Sequence, residues 1–303
     1  PFKKIAPDPD LIVQAQLWAW EQIGMDGIYN TADPLFLAEA FGCEVRFLET
    51  GPIVDPLPVS IRDMQDIEDL NFPDPRKAGR FPVVLEAARM ISQETGGEVP
   101  LISGFEGAFT QVCRIIEVEQ ILRLTYKNPK ILEALLDRMN LFLIEFGQAL
   151  IENGVNVIFL PEPTASSTMI APRMFRKFVL PRTRQLTGLL DVPVIFHICG
   201  DTNPILASMG EAGADVISLD QCMDLSMSLA VLRDAVIGGN VDPVQSLLLG
   251  DPEKVRKDVL NCLRKTGPER FILMPGCAVP PNAPLENLRA MVRAAVEYGL
   301  GTA

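Results

Sequence analysis

Short apolar runs recur along this chain, and each is followed by a stretch with helical periodicity. Runs such as VPLISGF (99–105) and PVIFHICG (193–200) are continuous, without the polar alternation of a half-exposed strand. Amphipathic stretches such as residues 128–154 lie between them. Continuous apolar strands that alternate with helices predict a parallel sheet covered by helices. The predicted strands lie within residues 26–31, 99–105, 155–163, 193–200, 215–221, 235–242 and 270–277.

Seven strands fit a doubly wound sheet, and a (β/α)8 TIM barrel needs eight. The last four runs begin 20 to 35 residues apart, which suits compact barrel units. The chain starts PFKK without a methionine, and a missing N-terminal strand would complete the count of eight. We therefore expect one α/β barrel domain over residues 1–303. Within it, we interpret the proline-rich and acidic residues 49–81 as a surface excursion with one or two short helices.

Charge and composition exclude several classes of partner. The formal net charge of −12 gives a surface that repels phosphate backbones, so we expect no nucleic-acid partner. No apolar run reaches the roughly 18 residues of a membrane span, and we expect no membrane association. The six cysteines are scattered through a large chain, which is typical of a cytoplasmic protein with reduced thiols.

The only histidine of the chain, His197, stands two positions before Cys199 on a predicted strand. Side chains at i and i+2 of a strand point to the same face. Cys277 follows the last predicted strand, and all strand ends of a barrel meet at one mouth. One imidazole and two thiolates suit Zn²⁺, and three protein ligands are typical of catalytic zinc sites. A lone strand histidine is more often a packed, hydrogen-bonded core residue, and this alternative stays open on the pattern alone.

Acidic residues follow several predicted strands. Asp33, Glu162 and Asp220 are candidate catalytic residues, and Glu106 is a weaker one. We interpret Asp220 as a fourth ligand or an acceptor for the His197 N–H, with a helix N-cap as the alternative. Glu162 is a candidate substrate contact or general acid, and its flanking prolines fit a turn residue equally well. A run of cations is either an anion site at the mouth or a solvated helix face: Arg173, Arg176, Lys177, Arg182 and Arg184.

Four segments resemble a known family, the uroporphyrinogen decarboxylase superfamily, and the resemblance extends over nearly the whole chain. TADPLFLAEAFGCEVRF (31–47) is similar to its Ser-Asp-Ile-Leu segment, with Asp33 at the aspartate. The other three segments are PLISGFEGAFTQV (100–112), GADVISLDQCMDL (213–225) and PGCAVPPNAPLENLRAMVRAAVEYG (275–299). The resemblance implies a single barrel domain.

Two branches of this superfamily differ in chemistry. True decarboxylases carry an N-terminal Arg-Gln-Ala-Gly-Arg motif, a histidine near the position of Cys277 and a tyrosine soon after the third strand. This chain lacks all three. The cobamide-dependent methyltransferases show His-x-Cys and a distant Cys at these strand ends, which His197, Cys199 and Cys277 match.

The resemblance to the methyltransferase branch implies a zinc cofactor and a corrinoid (methylcobamide) carried on a partner protein. A methyl group would move between this corrinoid and a small-molecule acceptor or donor such as a thiol. Neither the direction of transfer nor the identity of the small molecule follows from the sequence. The alternatives are a cofactor-free decarboxylase of a tetrapyrrole and a non-catalytic zinc- or tetrapyrrole-binding protein.

Overall fold

The computed structural model describes residues 2–30, 33–48, 51–57, 59–267 and 269–301. Nine strands occur in this part of the chain: β1 Ile28–Asn30, β2 Glu44–Leu48, β3 Gly51–Asp55, β4 Leu101–Gly104, β5 Val157–Pro161, β6 Val194–Ile198, β7 Val216–Leu219, β8 Val236–Val241 and β9 Phe271–Pro275. Each of the seven predicted runs contains one strand, and β2 and β3 are additional.

Helices separate the strands and cover the sheet. They are α1 Phe2–Ile5, α2 Pro9–Ile23, α3 Phe36–Ala40, α4 Met64–Asp69, α5 Phe81–Glu94, α6 Ala108–Ile115, α7 Val118–Lys127, α8 Pro129–Glu152, α9 Pro172–Met174, α10 Leu180–Leu189, α11 Leu206–Gly210, α12 Leu225–Val231, α13 Pro252–Thr266 and α14 Leu285–Gly299. A short 3₁₀ helix spans Pro163–Ala165, and π-helical turns span Phe175–Val179 and Pro243–Leu248.

Seven strands form one parallel sheet in the order β1-β4-β5-β6-β7-β8-β9. Each strand of this sheet pairs with the next one along the chain, and the order never reverses as it does in a doubly wound sheet. Parallel crossovers of one hand then curl the sheet into a barrel. The helices at the two ends of the sheet are in contact: Arg289 of α14 donates hydrogen bonds to the main-chain and side-chain oxygens of Gln22 in α2. The α/β barrel prediction is confirmed.

The two faces of the barrel strands have different neighbours. In β6, Phe196 and Ile198 are fully buried in the core that the helices form. His197 alternates with them and therefore points to the barrel interior. Its ring stacks on Phe159 of β5, with ring centroids 6.0 Å apart, and Phe159 in turn meets Tyr29 of β1 edge to face. An aromatic row thus lines the interior below the strand ends.

The surface excursion predicted for residues 49–81 contains the expected short helix, α4, which a capping box of Asp63 and Asp66 starts. The first part of this excursion contains a strand, however: β3 pairs antiparallel with β2. The sequence analysis missed this hairpin because β3 carries a glycine and a proline and is only partly buried. In the part of the chain described above, no helix is long and apolar enough to cross a membrane.

Candidate metal centre at the barrel mouth

His197, Cys199 and Cys277 meet at the C-terminal ends of the parallel strands. The Cys199 Sγ lies 3.3 Å from the His197 Nε2 and 3.5 Å from the Cys277 Sγ. The three donor atoms all lie within 4.8 Å of one another. The histidine is buried, and both cysteines are half-buried. The structure therefore brings together the three residues that the strand-end argument placed at one mouth, and their role as zinc ligands stays a prediction.

The neighbouring strand β7 orients the His197 ring. The His197 Nδ1 lies 3.1 Å from the Ser218 Oγ and 3.3 Å from the Ser218 carbonyl oxygen. An Nδ1–H that donates to Ser218 leaves the Nε2 lone pair on the side of the two thiols. Ser218 thus stands where the sequence analysis expected Asp220.

Asp220 instead holds the loop that carries Cys199. Its carboxylate accepts hydrogen bonds from the backbone N–H groups of Gly200, at 2.8 Å, and Cys222, at 3.0 Å. Gly200 directly follows Cys199 and has a φ of 81°, which favours glycine. The clamp between the ends of β6 and β7 therefore fixes the chain beside the Cys199 thiol.

A glycine allows Cys277 to reach the other two residues. A Cβ atom on Gly276 would lie 2.5 Å from the backbone nitrogen of Gln221 and 2.9 Å from its Cα. Any larger residue at position 276 would push the end of β9 away from the end of β7. Gly276 also donates its N–H to the Val241 carbonyl, at 2.8 Å. The close approach of these backbones places the Cys277 Sγ beside the Cys199 Sγ.

The two thiols have unequal acidity. The hydrogen bond with Cys199, followed by the hydrogen bond with His197, lowers the pKa of Cys277 below its ordinary value. The contact with Cys277, followed by burial and by the charges of Asp220 and Glu106, raises the pKa of Cys199. The pKa of Cys277 thus moves in the direction that favours a thiolate, the form that binds metal ions.

Glu162 is buried and binds the first turn of α6. Its carboxylate accepts hydrogen bonds from the backbone N–H groups of Phe109 and Thr110 and from the Thr110 hydroxyl, the last at 2.6 Å. Burial raises the pKa of Glu162 to about 7, although these hydrogen bonds act in the opposite direction. Its backbone N–H donates to the His197 carbonyl at 2.8 Å, which ties it to the candidate metal centre.

Asp33 and Glu106 each bind an arginine. Asp33 forms a buried ion pair with Arg80, which also binds Glu39. Glu106 is 4% exposed and accepts two hydrogen bonds from the Arg114 guanidinium, at 2.9 and 2.7 Å. The sequence analysis did not single out either arginine, since nothing in the local pattern distinguishes them from surface cations.

The run of cations after β5 forms mainly ion pairs between helices. Arg176 pairs with Glu211 and Lys177 with Glu133, at 3.0 and 3.2 Å. Arg182 is 8% exposed and pairs with Asp137. These contacts favour ion pairs on helix faces over an anion site for Arg176, Lys177 and Arg182, and Arg182 is buried, not solvated.

Known proteins are similar to this chain over nearly its whole length. The model of the uroporphyrinogen decarboxylase (URO-D) family matches residues 1–298. The methylcobamide:CoM methyltransferase MtaA of Methanosarcina barkeri is 28% identical over 96% of this chain and 85% of its own length. The uroporphyrinogen decarboxylase of Pelobacter propionicus is 31% identical over 96% of this chain and 86% of its own length.

Two solved structures are also similar to this chain. A methyltransferase from Methanosarcina mazei is 30% identical and has a TM-score of 0.90, with 97% of this chain and 86% of that chain covered. A B12-independent methionine synthase from Shewanella shares the fold, with a TM-score of 0.67 at 15% identity. The chain therefore belongs to the uroporphyrinogen decarboxylase family, and methylcobamide:CoM methyltransferases are among its relatives.

Proposed function

We propose that this chain is a zinc-dependent methyltransferase that moves a methyl group between a corrinoid on a partner protein and a small molecule such as a thiol. The meeting of His197, Cys199 and Cys277 carries the proposal. Relatives named as methylcobamide:CoM methyltransferases are 27–31% identical to the chain, and relatives named as uroporphyrinogen decarboxylases are 29–31% identical. Identity therefore does not separate the two activities, and the three donor atoms favour the first.

The donor set fits zinc in chemistry and in spacing. Zinc binds thiolate sulfur at about 2.3 Å and imidazole nitrogen at about 2.0–2.1 Å, so tetrahedral donors lie roughly 3.5–3.8 Å apart. The contacts of 3.3 and 3.5 Å around the Cys199 Sγ need only small side-chain shifts to reach that spacing. A bound zinc ion would supply a Lewis acid that keeps a thiol substrate in its nucleophilic thiolate form.

The chain's own residues would position the reactants. Ser218 orients the imidazole, and Asp220 and Gly276 hold the loops that present the two cysteines. A fixed geometry of this kind can contribute several kcal/mol to a transfer between two bound groups. We assign the predicted catalytic residue Asp220 to this positioning. Asp33 and Glu162 are assigned to the fold of the mouth, since their carboxylates are bound by an arginine and by the first turn of α6.

We assign the corrinoid to a partner protein. The chain has one histidine, which the proposed zinc site uses, so no imidazole remains here as a cobalt ligand. The methyl group would then pass at the barrel mouth, where the candidate metal centre lies. The proposal leaves open whether the corrinoid gives or receives the methyl group.

Elemental analysis tests the metal site first. Protein purified without chelators should hold about one zinc per chain, and the Cys277→Ser variant should hold almost none. The matched control is Cys222→Ser, which changes an exposed cysteine near the same mouth and should keep the zinc. Equal zinc content in both variants would contradict the assignment.

Demethylation of free methylcobalamin, followed by its absorbance in the presence of a panel of thiols, tests the reaction. The zinc-loaded chain should accelerate methyl loss, and Cys277→Ser should not. Zinc binding without any acceleration, together with turnover of a porphyrinogen, would favour the decarboxylase alternative.

A further inference from the structure

A cavity lies beside the candidate metal centre, between the end of β8 and α13. Its volume is about 250 Å³. Pockets that enclose a whole drug-sized molecule measure roughly 300–1,000 Å³, so this cavity suits a side group of a larger ligand. The proposed zinc site does not use it.

The cavity shares its wall with the loops that hold the two cysteines. Gln221 lines it, and the backbone of Gln221 packs against Gly276, the residue before Cys277. Asn240 also lines it and donates to the carbonyl of Asp220, at 3.0 Å, while the Asp220 carboxylate holds the loop after β6. A ligand that covers the metal centre can therefore extend a side group into this cavity.

The charged side chains that line the cavity are compensated. Two of them are lysines of α13: Lys254 pairs with Asp258 at 2.7 Å, and Lys265 pairs with Asp224 at 3.0 Å. The carboxylate of Asp242 accepts hydrogen bonds from two backbone N–H groups, both at 2.8 Å. In the described part of the chain, each charged side chain of this cavity thus has a partner, which favours a neutral ligand over an ion.

Three carboxamides at the rim of the cavity remain available to a ligand. The side chains of Gln221, Gln245 and Asn261 line it, are exposed, and form no hydrogen bond with any residue that the structure describes. Each offers an NH₂ group as donor and a carbonyl oxygen as acceptor. A neutral group that carries both a donor and an acceptor, such as another primary carboxamide, complements this set.

We infer that this cavity binds a primary carboxamide arm of the corrinoid ring. A corrin ring carries acetamide arms on the face that holds the methyl group, so a methyl group over the metal centre brings such an arm to the cavity. The position of the cavity, its compensated charges and its three available carboxamides carry this inference. It rests on the proposed function and specifies a contact by which this chain orients the ring.

Two methylated corrinoids separate recognition of the amide arms from recognition of the ring. Methylcobalamin carries amide arms, whereas the methylated heptamethyl ester of cobyrinic acid carries ester arms that have no N–H donors. Their dissociation constants for the zinc-loaded protein are measured by equilibrium dialysis, with the corrin absorbance as the readout. The wild-type chain should bind methylcobalamin more tightly than the ester.

Variants of the rim assign the difference to this cavity. In Asn261→Leu and in Gln245→Leu, the dissociation constant of methylcobalamin should rise by about three- to tenfold, because a hydrogen bond is lost. The dissociation constant of the ester should not change, and both variants should keep their zinc. Gln148→Leu is the matched control, since Gln148 is also an exposed glutamine but lies on α8, away from the cavity.

The outcomes distinguish the inference from the proposed function. Unchanged binding of methylcobalamin in both rim variants, or an equal loss for the amide and the ester corrinoid, would overturn the inference and leave the proposed function standing. A wild-type chain that binds the two corrinoids alike, or binds neither, would overturn it as well. A zinc-loaded chain that binds methylcobalamin through its amides but never transfers the methyl group would contradict the proposed function and support the cavity assignment.

Discussion

The two sides of the barrel mouth use their polar side chains differently. On the side of β1, β4 and β5, the carboxylates of Asp33, Glu106 and Glu162 are bound by arginines or by the first turn of α6. On the side of β6, β7 and β9, the donor atoms of His197, Cys199 and Cys277 face one another. The first side therefore serves the fold, and the second side offers a ligand set for chemistry.

Replacement of His197, on the second side, should have the largest effect on zinc content and methyl transfer. In His197→Ala, the zinc content should fall from about one per chain to near zero, and methyl transfer should fall to background, because two thiols alone form an incomplete site. Exogenous imidazole should restore part of both. A variant that keeps its zinc would show that the second side is not the metal centre.

Replacement of Arg80 tests the first side. The Arg80 side chain is 10% exposed and its partner Asp33 is fully buried, so Arg80→Met should lower the free energy of unfolding by about 3–5 kcal/mol. Arg89→Met, in an exposed ion pair with Glu86, is the control and should have little effect on a urea titration. Equal midpoints for the two variants would contradict a structural role for this pair.

Removal of the Ser218 hydroxyl should weaken the metal centre without loss of the fold. Ser218→Ala should lower zinc affinity by about tenfold, measured by competition with a chelator, because the imidazole loses a partner that orients it. Ser228→Ala is the control: this serine is also buried, but its hydroxyl donates to the carbonyl of Asp224, the residue before α12. The same loss of affinity in both variants would point to a general effect of stability.

The smallest effect is expected at Thr110, on the first side. Thr110→Val removes the hydroxyl that donates to Glu162 and accepts from the Thr164 N–H. The free energy of unfolding should therefore fall by about 1 kcal/mol, since Glu162 keeps two backbone donors. Thr110→Ser keeps the hydroxyl and should retain most of the stability in thermal denaturation. Unchanged stability in the valine variant would mean that the buried carboxylate does not depend on this bond.

The sequence predicts the sheet and the meeting of three possible metal ligands well, since both follow from the period of the apolar runs. Once the strands are assigned, the barrel topology brings His197, Cys199 and Cys277 to one mouth, although 78 residues separate the two cysteines. The apolar runs do not predict the hairpin of β2 and β3, because its strands are short and partly exposed.

The partners of the acidic residues could not be predicted from local patterns. Arg80 lies 47 residues from Asp33, and Glu162 lies 52 residues from Thr110, so only the folded chain shows these pairs. The contact between His197 and Ser218 depends on the register of β6 with β7, which a strand assignment leaves open by a residue or two. Register, and not residue type, decides which group orients the imidazole.

Zinc K-edge X-ray absorption of the purified, zinc-loaded protein tests the central claim most directly. The account predicts two sulfur neighbours at about 2.3 Å and one imidazole nitrogen at about 2.0–2.1 Å, with one sulfur lost in Cys277→Ser. A zinc shell of oxygen and nitrogen alone, unchanged in Cys277→Ser, would contradict a metal centre built from His197, Cys199 and Cys277.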